Sequence, residues 1–67
     1  MEHWTFERTT GHWWHEAAGW CVRPAAGGGW EVTRPGYSDT IAGGPWATAA
    51  DAILAVEAHV AKQALGR

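Results

Sequence analysis

The sequence predicts an α+β fold, a curled antiparallel sheet of three to four strands packed against one C-terminal α-helix. Three observations lead there. Residues 20–24 and 30–35 are similar strand-like segments, and they flank a run of alanine and glycine, as hairpin arms flank a turn. An alanine-rich stretch after Thr48 contains no glycine or proline until Gly66, which is how a helix reads. Near the start, Trp4 and Phe6 alternate with Thr5 and Glu7, the period of a half-buried strand.

Taken in order, Thr9, Thr10 and Gly11 form the first turn. Residues 12–18 then make a second strand, with Gly19 as a bulge or break. In the hairpin, a three-residue loop over 25–27 places Gly27 where a left-handed residue is needed. That register sets Trp20 opposite Val32 and Val22 opposite Trp30, with Cys21, Arg23, Glu31 and Thr33 on the other face. Pro35-Gly36 fits the centre of a type II turn. Residues 38–42 are expected to add a strand with Ile41 inward, ended by Gly43, Gly44 and Pro45. Trp46 should pack over the first turn of the helix.

Thr48 is the expected N-cap, with Asp51 three residues on, and Gly66 the expected C-cap. Ala49, Ile53, Val56, Val60 and Ala64 form the stripe expected to meet the sheet. The chain thus reads as one domain over 1–67: Trp- and His-rich strands in 1–19, hairpin and third strand in 20–47, and helix in 48–66.

With 67 residues the core is thin. Leu, Ile, Val and Phe together fall below the ~20% that a disordered chain also shows. Six Trp compensate, since each can bury ~150–250 Å². Cys21 has no partner for an intramolecular disulfide, which fits a reducing, cytoplasmic setting. The first residues lack the basic and apolar regions of a signal peptide, and no apolar stretch is long enough for a membrane span.

The sequence points to a non-catalytic, cofactor-free module that binds another protein. Trp13 and Trp14 are neighbours, so on a strand they face opposite ways, and one helix covers one face. With His12 and His15 they are the expected partner-binding residues. The alternative is that the extra indoles enlarge a barrel-like core. Leu54, Ala58, Ala61 and Leu65 form a second helix stripe, a candidate face for a second copy or a partner.

Other chemistries fit less well. Five Lys and Arg stand against seven Asp and Glu, for a net charge of −2 and no basic run. This argues against nucleic acid, whose binders neutralise phosphates with a basic stripe. If the open sheet face did bind nucleic acid, Arg23 and Arg34 would be its phosphate contacts. His12 and His15 would share a face on a helix but point apart on a strand, so no metal site is expected. No nucleophile motif surrounds Cys21, and the glycines at 27–29 precede a strand instead of the helix of a phosphate loop.

The order of hairpin, strand and helix, with Gly43-Gly44-Pro45-Trp46-Ala47-Thr48 leading into an Ala-rich helix, resembles a class of small bacterial and phage accessory proteins. The resemblance covers residues 20–65 and implies the fold more than any activity; the class includes phage accessory proteins, some of which inhibit host machinery by binding it. A three-stranded sheet with one helix also resembles some DNA-binding domains, but the charges expected on the sheet face do not match theirs.

Overall fold

The computed structural model describes residues 3–65. Four strands, β1 (Trp4–Glu7), β2 (His12–His15), β3 (Cys21–Pro24) and β4 (Trp30–Thr33), precede one helix, α1 (Ala49–Leu65). The strands form a single antiparallel sheet in the order β1-β2-β3-β4, so β1 is an edge. The sheet is not closed, and the helix packs on one face. The α+β class is therefore the one expected, with four strands.

The register explains which residues meet the helix. Phe6, Trp13, Val22 and Val32 stand directly opposite one another across the strands, forming one apolar row on the helix side. Trp4 pairs with His15 on the same face. Val22 and Trp4, together with Trp20, Ala52, Ile53 and Val56, make up the buried core. The Trp4 indole N–H donates to Glu57 on the helix (3.2 Å), which ties the edge strand to α1 and satisfies a polar atom brought into the core.

The turns are set by local chemistry. Gly11 N–H donates to Glu7 O (2.8 Å), closing the expected first turn. The second strand stops at His15, three residues short of expectation. His15 Nδ1 accepts from Ala18 N–H (3.0 Å), and Gly19 N–H donates to His15 O (2.9 Å), so 16–19 is a turn. A side chain here takes a backbone donor that a longer strand would have used.

The hairpin has the expected faces and a different register. Val22 pairs with Val32 and Pro24 with Trp30, a shift of two residues from the predicted pairing. Because the side-chain period is two, this shift keeps every residue on its predicted face. Ala25 N–H donates to Gly29 O (3.0 Å) and Gly28 N–H to Ala25 O (3.1 Å), so the loop is 26–28 and Gly28, at φ 101°, takes the left-handed position predicted for Gly27. Pro24, which has no N–H to give, sits opposite Trp30, whose own backbone groups bond Trp46 instead (2.7 and 2.8 Å).

After β4, Tyr37 N–H donates to Arg34 O (3.0 Å) around Pro35-Gly36, the expected turn. The strand expected over 38–42 does not form. Arg34 Nη1 holds Asp39 (3.1 Å), and the outer edge of β4 is met at Trp30 by Trp46 instead. Ile41 still packs inward, against the core, as does Trp46.

Thr48 caps the helix: its Oγ1 accepts from Asp51 N–H (3.1 Å) and its O from Ala52 N–H (3.2 Å). Ile53 and Val56 are buried, and Ala49 and Val60 pack beside them. Ala52 is also buried, though not on the expected stripe, and Ala64 is exposed. Residues 61–65 are all exposed, so Ala64 belongs to a last turn that the sheet does not cover. The C-cap expected at Gly66 lies outside the described residues.

Candidate functional site

An aromatic surplus gathers on β1 and β2. Phe6 and Trp13, cross-strand partners, bring their rings to 4.8 Å, a tilted contact of the kind that stabilises a sheet face. Both are on the helix side, yet Phe6 is 45% exposed and Trp13 half-buried. The helix lies over β3 and β4 and reaches β1 through Trp4, leaving the row's outer end uncovered. Phe6 was expected only as an ordinary half-buried strand residue. Its edge position, which decides its exposure, depends on the strand order.

On the opposite face Trp14 stands between Thr5 and Cys21 and is half-buried, with His12 nearby (ring centroids 6.5 Å). The four expected partner-binding residues therefore divide. Trp13 and His15 face the helix; His12 and Trp14 face away. His15 is mostly buried, stacked edge-on against Trp4 (5.1 Å) and hydrogen-bonded to Ala18, so it supports the fold from within. The indoles divide as well: Trp4 and Trp20 are buried, while Trp13, Trp14, Trp30 and Trp46 are half-buried.

The outer helix stripe is exposed along its length. Leu54 is 62% and Leu65 87% accessible, with Ala58 and Ala61 exposed between them. No helix is long and apolar enough to cross a membrane.

The two arginines of the nucleic-acid alternative sit on different sides. Arg23, on the open face, pairs with its cross-strand neighbour Glu31 (2.6 Å). Arg34 donates from Nε to Ala18 O (2.8 Å), from Nη1 to Asp39, and lies over the Tyr37 ring (3.8 Å). Each guanidinium has a carboxylate beside it, which lessens its pull on phosphate.

Cys21 is 1% exposed between Trp14 and Thr33. Burial pushes its thiol up; Arg23 opposes this, and Glu7 and Glu31 reinforce it. A protonated, enclosed thiol is a poor nucleophile. Among the described residues, no three His, Cys, Asp or Glu side chains come close enough together to hold a metal ion.

No protein-family model, curated protein or solved structure matches this chain.

Proposed function

We propose that this protein is a non-catalytic binding module that modulates another protein by occupying its surface, with the Phe6–Trp13 pair as the anchor. The observation that carries the reading is this pair's position: a contacting aromatic couple on the core side of the sheet, left open because the helix ends its cover at β3 and β4. Trp and neighbouring aromatics dominate the energy of protein interfaces, since they bury large area with few rotamers to freeze. Trp14 and His12 extend the surface around the sheet to its other face. The supporting role of His15 is to hold the β2–β3 turn.

The test replaces Phe6 with Ser and Trp14 with Ala, singly. Each variant is assayed for partner capture from cells that produce the protein and for thermal stability. Lost capture at retained stability supports the reading. Capture and stability lost in proportion would refute it for that residue.

A second reading, self-association, is favoured by the exposed Leu54 and Leu65 on one helix stripe. Leu54→Glu should then convert a sedimenting dimer to monomer. A wild-type chain that sediments as a monomer at all concentrations removes it.

A further inference from the structure

A second concavity lies away from the aromatic pair, where the β2–β3 turn, the end of β4 and the C-terminal half of α1 converge. Its volume is about 450 Å³, within the range of small-ligand sites. Ala17, Ala18 and Val60 supply its apolar lining, above a Trp20 indole that is itself only 1% exposed. Arg34, His59 and Gln63 supply its polar groups.

All three of these side chains carry N–H donors. Arg34 is already oriented, because Nε and Nη1 are fixed by Ala18 O (2.8 Å) and Asp39 (3.1 Å). Its Nη2 has no hydrogen-bond partner among the described residues, nor do the His59 ring nitrogens or the Gln63 amide. His59 is held edge-on against Trp20 (5.5 Å), so its ring is placed as well. No carboxylate lines the pocket; Asp39 stands behind the guanidinium, outside it.

We propose that this pocket binds a carboxylate attached to a small apolar or aromatic body. With Nε and Nη1 engaged by Ala18 and Asp39, Nη2 remains to donate a charge-assisted hydrogen bond to a carboxylate, beside the donors of His59 and Gln63. Ala17, Ala18 and Val60 take the body. Two sources share this chemistry, a free carboxylic acid and the C-terminal carboxylate of a peptide.

The experiment titrates isotopically labelled full chain with 3-phenylpropionate and with 3-phenylpropionamide, following backbone amide shifts. Saturable shifts at Ala18, Arg34 and Gln63 are expected, with Kd below about 1 mM for the acid and at least about tenfold weaker binding of the amide. Gln63→Glu, a change at an exposed helix position, should weaken the acid by about tenfold or more and leave the amide unchanged. Absence of saturation at about 10 mM acid, equal affinity of acid and amide, or indifference to Gln63→Glu overturns the proposal. A tetrapeptide ending in phenylalanine, with free or amidated terminus, separates the sources. Tighter binding of the free-ended peptide than of 3-phenylpropionate assigns the site to a chain terminus; weaker binding assigns it to a free acid.

Discussion

Gly11 and Gly29 share a left-handed backbone, both at φ 76°, but differ in surroundings. A Cβ on Gly11 would meet nothing within 4 Å; one on Gly29 would lie 2.8 Å from the Trp46 carbonyl oxygen. That oxygen accepts from Trp30 N–H (2.7 Å), half of the bridge that returns the chain to β4 before the helix. Gly11→Ala should therefore cost only the backbone penalty, ~1–2 kcal/mol. Gly29→Ala carries the same penalty and also pushes Trp46 away. With both bridge hydrogen bonds lost at ~0.5–1.5 kcal/mol each, its total is ~2–5 kcal/mol. In a domain of this size each kcal/mol moves Tm by ~4–8 °C, so Gly29→Ala should melt at least ~4 °C below Gly11→Ala. Calorimetry on the two variants and the parent checks this. Equal melting temperatures would refute the claim that the Trp30–Trp46 bridge contributes to stability.

Other outcomes follow from the same geometry. His15→Ala removes the acceptor for Ala18 N–H and the edge contact with Trp4; urea unfolding should show a loss of about 2 kcal/mol. Thr48→Ala should cost about 1 kcal/mol and speed amide exchange in the first helical turn, with Thr48→Gly milder. Cys21 should react with an aromatic disulfide reagent far more slowly in the folded chain than in urea. Because burial raises its pKa above 9.0, the folded state holds the thiol proton more tightly. This contribution to stability is complete below the unfolded value and is lost as pH rises through the folded one. Urea midpoints at neutral and alkaline pH should diverge less in Cys21→Ala.

The elements readable from sequence were those with local causes. Thr48 announces the helix because its hydroxyl serves an amide three residues away, and an uninterrupted Ala-rich run follows. The faces of Val22, Arg23, Glu31 and Val32 were legible because strand parity survives a register shift of two. The register itself was not legible, because a shift of two leaves every side chain on the same face and so does not alter the pattern the sequence displays. The absent strand at 38–42 has its origin in the Arg34 clamp on Asp39 and the occupied edge of β4. At the candidate site, the opposed directions of Trp13 and Trp14 followed from strand geometry. The exposure of Phe6 did not, since it depends on which strands the helix covers. His15 looked like a surface or interface group; only the folded turn brings Ala18 N–H to its ring.

The central claim is that the uncovered aromatic row on β1 and β2 is a contact surface. Affinity capture with parent and Phe6→Ser protein, at matched concentration and with melting recorded on the same samples, addresses it most directly. The account predicts a partner retained by the parent and lost by the variant, with Tm within a few degrees. An identical set of captured proteins with both chains would contradict it.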